Sequence, residues 1–162
     1  MTARNTFSEY GGRLHDIQPD FAAIIAPGLR CAFRDRRQVK LAGTTLFGEE
    51  ATRTIWVCDA GAYVVLKALA FDSRGENKDA YDLFYVLRNY GAGVDDVAAR
   101  LGPLLDDPEA RSALAILRRD FLSIDSVGPM RVAAFLFGGR NDELQADVVS
   151  FVARLLSLVG GL

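Results

Sequence analysis

Lys67, Arg74, Lys78, Asp79 and Asp82 are the side chains of this sequence whose types and spacing could do chemistry together. They fall in the segment Leu66-Lys67-Ala68-Leu69-Ala70-Phe71-Asp72-Ser73-Arg74-Gly75-Glu76-Asn77-Lys78-Asp79-Ala80-Tyr81-Asp82-Leu83. The chemistry is charge placement. Phosphoryl and nucleotidyl transfer are accelerated mainly by cations set around the reacting phosphates. Arginine suits bidentate phosphate contacts, and lysine supplies a compact charge. The same residues could instead pair with one another, and the sequence leaves both readings open. Asp79 and Asp82 are three apart, so on a helix their carboxylates share a face. Both would lie early in that helix, where its dipole favours negative charge. Lys78 and Asp82 are four apart and could form an ordinary surface pair.

Two helices joined by a tight basic turn must position this set. The first reads from Gly61 to Phe71, with Asp59 as its N-cap. It is apolar almost all round, which argues for burial. Lys67 is the single charge inside it, so it must reach water, pair, or meet a ligand. The second helix reads from Lys78 to Asn89, with Asn77 as N-cap and Gly91 as its stop. Further helices follow over Val94–Leu105, Pro108–Phe121 and Pro129–Phe137, and a last one, capped by Asn141 or Asp142, runs to about Val159. Asp107-Pro108 marks one start with proline at the first helical position. Phe121, Phe135, Phe137 and Phe151 are expected in the core of these last helices.

Ahead of Asp59 the pattern is mixed. Phe21, Ile24, Ile25 and Leu29 stand at helical spacing, interrupted by Pro27-Gly28, so two short helical pieces or one kinked helix are expected. Gln38–Phe47 and Thr52–Cys58 alternate as strands and can form a hairpin across Gly48-Glu49-Glu50. Trp56 is expected to be buried or half-buried on its strand. The chain therefore divides into a small mixed region, 1–59, and a helical bundle, 60–162.

Bulk properties narrow the function. The 162 residues are half apolar and a quarter charged, with a formal net charge of -2. That balance is ordinary for a globular domain and carries no global basic field for nucleic acid. A local basic stretch exists at Arg30, Arg34, Arg36, Arg37 and Lys40, readable as a solvated face or as a nucleic-acid contact. Cys31 and Cys58 fit no zinc or redox spacing and read as buried thiols. One histidine, His15, argues against a histidine metal site or a Ser-His triad. Met1–Gly12 has no signal-peptide core, and no apolar run reaches membrane-spanning length, so a cytoplasmic location is expected.

The order of residues from Ala62-Tyr63-Val64-Val65-Leu66-Lys67 through Arg74-Gly75-Glu76-Asn77-Lys78-Asp79-Ala80-Tyr81-Asp82-Leu83 resembles the C-terminal signature of the AbiEii/AbiGii-type nucleotidyltransferases, which are abortive-infection and toxin–antitoxin proteins. That pattern is a helix lysine, an arginine-bearing turn, then a basic residue and D-x-x-D-L. The resemblance covers about 38–135. It implies an α+β protein: a partial polymerase-β-like nucleotidyltransferase fold of short antiparallel strands, then a C-terminal helical bundle. It also implies a nucleoside triphosphate and magnesium as cofactors. In this frame Lys67 and Asp79 would be catalytic, and Lys67, Arg74, Lys78 and Asp82 would bind the nucleotide. Implied partners are an antitoxin, an RNA acceptor, a complementary N-terminal nucleotidyltransferase chain, or a second copy.

One departure matters. Such enzymes hold metal on G-S followed by D-x-D, and residues 1–59 carry no such motif. Gly11-Gly12 precedes Arg13, Asp16 and Asp20 are four apart, and Asp35 stands alone. Without paired acids, two-metal chemistry has no anchor. The chain is thus expected to be a truncated product, a fragment, a split subunit or a degenerate relative, inactive by itself. The alternative from another class is a non-catalytic protein-interaction module derived from the same fold, using the edge of its strand hairpin.

Overall fold

The computed structural model describes residues 14–18, 21–24 and 26–160. The architecture is α+β: among the described residues there are two separate two-stranded antiparallel sheets and seven α-helices. The first hairpin pairs β1 (Leu14–Gln18) with β2 (Phe21–Ile24). A short helix α1 (Leu29–Arg34) leads into the second hairpin, β3 (Arg36–Thr44) with β4 (Glu50–Cys58), in continuous register from Arg36↔Cys58 to Thr44↔Glu50. The bundle follows as α2 (Ala60–Arg74), α3 (Asn77–Asn89), α4 (Val94–Leu101), α5 (Pro108–Asp120), α6 (Val127–Phe137) and α7 (Asp142–Gly160).

The helix expected from Phe21 onward is instead β2 over Phe21–Ile24, and helix begins only at Leu29. Pro27-Gly28 separates the two, and a four-residue strand is too short to show its period. Gly11-Gly12 and Asp20 lie outside the described residues. The helix expected over Val94–Leu105 stops at Leu101 and tightens into a 3-10 turn over Gly102–Leu104, where Pro103 cannot donate to the α-helical ladder.

Helix α2 sits at the centre, packed against α1, α3, α4 and α5. Its start is fixed by Asp59, which is extended (ψ -179°) and accepts from Ala60 N at 3.0 Å. Its end is fixed by Gly75 at φ +67°, a left-handed conformation that side chains disfavour. Gly61 permits a close crossing, because a Cβ there would lie 2.5 Å from the backbone of Arg100 on α4. Val64 and Val65 on this helix, and Leu83, Leu87, Leu101, Leu117 and Leu155 on the others, are fully buried in the core. Each contributes about 1.5–3 kcal/mol by leaving water. Phe121 joins them and meets Phe71 at 5.1 Å between rings. Phe135 and Phe137, expected in the core, are exposed; Phe135 stacks on Tyr81 at 4.7 Å. Trp56 is exposed as well. No helix among the described residues is long and apolar enough to cross a membrane.

Candidate functional site

All five charged residues singled out in the sequence meet at the α2–α3 hairpin. Lys67 Nζ donates to Asp79 Oδ1 at 3.0 Å and lies 2.6 Å from Asp82 Oδ2. Arg74 forks onto Asp79, with Nε to Oδ2 at 2.6 Å and a terminal nitrogen to Oδ1 at 2.7 Å. Lys78 Nζ reaches both oxygens of Asp82, at 2.9 and 2.7 Å. The i,i+4 spacing on α3 delivers that last pair. The others depend on α2 lying alongside α3, which the turn at Gly75 enforces.

Burial is graded across the network. Asp79 is 0% exposed and Asp82 nearly so, and each of their four carboxylate oxygens has a cationic donor. The Arg74 and Lys78 side chains keep 58% and 64% of their surface in water. Burial alone would raise the Asp79 carboxyl, but the donors from Arg74 and Lys67 outweigh it and hold it below the ordinary carboxylate value. Asp82 behaves alike: burial opposes, and Lys67 and Lys78 win. Burial works against the Lys67 ammonium, yet Asp82 and Asp79 raise its affinity for its proton. The Tyr63 ring lies 5.6 Å from Lys67 Nζ, and its phenol is raised by burial and then by the Asp82 charge.

These environments assign chemistry. Asp79 and Asp82 are held ionised and each already accepts three cationic contacts, which makes them poor acceptors for a substrate proton. They position Lys67, Arg74 and Lys78. The residues do not fit a magnesium ion either, because cations already occupy the oxygens a metal would use. Among the described residues no group of three or more His, Cys, Asp or Glu side chains is placed to hold a metal. No family model, curated protein or solved structure matches this chain. Its chemistry therefore has to be read from its own side chains.

A second charged cluster was not legible in the sequence, where Asp35 stood alone and Asp59 was only a cap. The two buried aspartates meet at the N-terminus of α2. Asp35 Oδ2 accepts from Ala62 N at 3.0 Å, and its carbonyl accepts from Asp59 N at 2.9 Å. Asp59 Oδ1 accepts from Tyr90 Oη at 2.5 Å, while Arg100 lies 3.4 Å from Oδ2 and Arg37 lies 3.6 Å from Oδ1. That hydrogen bond, then burial, raises the Tyr90 phenol. Two acids at a positive helix end with two arginines form an anchor that ties α1, β3 and α4 to α2.

The basic stretch around Arg30–Lys40 is dispersed. Arg34 binds Pro103 O and Asp106 on the bundle. The Arg36 guanidinium lies over the Trp56 ring, 4.5 Å from its centroid. Of the two cysteines, Cys31 is buried and Cys58 half-buried.

Proposed function

We propose that this chain is a nucleotidyltransferase-like protein of the AbiEii type whose α2–α3 network is a phosphate-binding half-site, completed by a complementary chain that carries the paired metal-binding aspartates. The observation that carries this reading is a local imbalance. Three cations share two carboxylates, and the two outer cations, Arg74 and Lys78, present more than half of their side-chain surface to water. Asp79 fixes the guanidinium of Arg74 through two bonds, and a pre-set fork loses less freedom when it takes a phosphate. Lys67 adds a positive charge behind them and stays protonated, because both carboxylates favour its charged form.

Calorimetric titration of the purified chain with a nucleoside triphosphate, with and without magnesium, tests the reading. Binding should weaken about tenfold, ~1.4 kcal/mol, in Arg74→Ala or Lys78→Ala. Lys78 is exposed and Asp82 keeps Lys67 without it, so Lys78→Ala should keep the fold, while Arg74→Ala takes two donors from buried Asp79 and is checked by far-UV circular dichroism. No heat at millimolar triphosphate, or equal binding in both variants, would reduce the network to a structural clasp.

A further inference from the structure

Independently of any nucleotide, we propose that two copies of this chain join along β4, antiparallel about a two-fold axis at Thr54, into one four-stranded sheet. A lone two-stranded ribbon is marginal in water, because three or more strands or a packed face are needed for independent stability. Here both faces of β3–β4 are largely open, and Trp56 and Ile55 project into solvent. The two edges differ. β3 carries Arg36, Arg37 and Lys40, the charges that natural edge strands use to block pairing. β4 is equally long, nine residues, and over Thr54–Cys58 has no charge at all.

Antiparallel self-pairing of β4 is complementary in sequence. With Thr54 on the axis, Arg53 faces Ile55 of the second copy, Thr52 faces Trp56, and Ala51 faces Val57. No like charges meet, and the aromatic–threonine and apolar pairs are of the kinds that stabilise sheets. β3 about its own centre would set Lys40 against Lys40. The ends agree too. The hairpin tip is acidic and apolar, with Glu49 and Glu50 beside the protruding Leu46 and Phe47, the latter 92% exposed. The hairpin base presents the exposed Arg36 and Arg37, the latter also 3.6 Å from buried Asp59, and holds a cleft between α1 and β4 lined by Leu29, Phe33, Trp56 and the Arg36 side chain that lies against both rings. Antiparallel pairing brings each tip to the other copy's base, so opposite charges meet and Phe47 reaches the cleft. A two-fold axis makes both contacts at once, as isologous interfaces require.

Sedimentation equilibrium of the full chain, from micromolar to hundreds of micromolar, reads the association. Monomer and dimer should exchange with concentration, and Thr54→Asp should weaken the dimer at least tenfold. That variant places two carboxylates on the axis while facing Lys40 within its own hairpin, so far-UV circular dichroism should be unchanged. Thr54→Cys tests the register. Self-paired strand residues lie within disulfide reach, so it should cross-link on mild oxidation whereas Arg53→Cys should not. A monomer at every concentration would overturn the proposal. So would equal cross-linking at both positions, or a larger species that forms only when a single-stranded oligonucleotide is added.

Discussion

The α2–α3 and β3–β4 hairpins are built alike and finished differently. Each joins two elements through a turn with a left-handed glycine, Gly75 or Gly48, and each carries several cations. In the helical hairpin the cations point at carboxylates that are themselves buried, and the apolar residues face a core. In the ribbon, Lys40 and Arg53 have no ion pair among the described residues, Arg36 rests on Trp56, and Leu41 and Ile55 meet solvent. The difference follows from where backbone hydrogen bonds close. A helix closes its own, so side chains alone decide what covers it. A two-stranded ribbon leaves outer N–H and C=O groups open on both edges. Among the described residues the helical hairpin is covered by its own chain, and the ribbon stands open.

The largest test of that contrast removes the innermost charge. Asp79→Ala leaves Lys67 and Arg74 facing an emptied, partly buried site, and breaking a buried pair typically costs 3–5 kcal/mol. Urea denaturation should show a loss of about 3 kcal/mol. A loss below about 1 kcal/mol would mean that water already screens the network.

Glycine-to-alanine changes sharpen the comparison with a single methyl group. Gly61→Ala would drive a Cβ into the Arg100 backbone, and overpacking of this kind costs about 1–3 kcal/mol. Gly43→Ala on β3 meets nothing within 4 Å and needs no unusual φ. It should be neutral or stabilising by up to about 1 kcal/mol through the unfolded chain. The Gly61 variant should thus melt lower than the parent and the Gly43 variant should not. Equal losses would mean that the ribbon is packed as tightly as the α2–α4 crossing.

Acid gives a smaller and directional effect. The folded-state carboxyls of Asp79 and Asp82 lie below the usual value of 3.8. Their contribution is complete above that value and disappears as pH falls through the lower folded values. Lys67 is raised above 10.5, so its contribution holds below 10.5 and fades as pH climbs past the folded value. The melting temperature should fall on both flanks, and Asp82→Asn should flatten the acid flank. An acid flank unchanged in that variant would show that other carboxylates govern it.

How much of this was legible depends on how local each signal is. The helix starts at Asp59, Asp107-Pro108 and Asn141 are written in adjacent residues, whereas Asn77, expected to cap α3, is its first residue and Glu76 stands at the cap without a side-chain bond. The Asn141 carboxamide accepts from Leu144 N, and Asp107 accepts from Glu109 N, as their positions foretell. The five-residue site was legible because its members sit on two neighbouring helices. Its saturation was not, since only the α2–α3 packing brings Lys67 to both acids. Asp35 and Ala62 are 27 residues apart, and no spacing rule joins a strand-leading aspartate to a distant helix end. The exposure of Trp56 was misread because alternation marks two faces without telling whether anything covers either of them.

The smallest expected effect is the one on which the contrast rests. Leu41 is half exposed on the ribbon, and Leu41→Ala in dilute protein should change stability by no more than about 0.5 kcal/mol. The same truncation at buried Leu83 on α3 should cost about 2–5 kcal/mol. Leu41 lies on β3, away from the β4 edge, so dimer formation should not hide the result. A cost at Leu41 near that of Leu83 would mean that a single chain already covers the ribbon, and β4 would then have no reason to seek a second copy. A cost near zero leaves Leu41 and Ile55 on one ribbon face, and Trp56 on the other, in water within a single chain, as pairing through β4 requires.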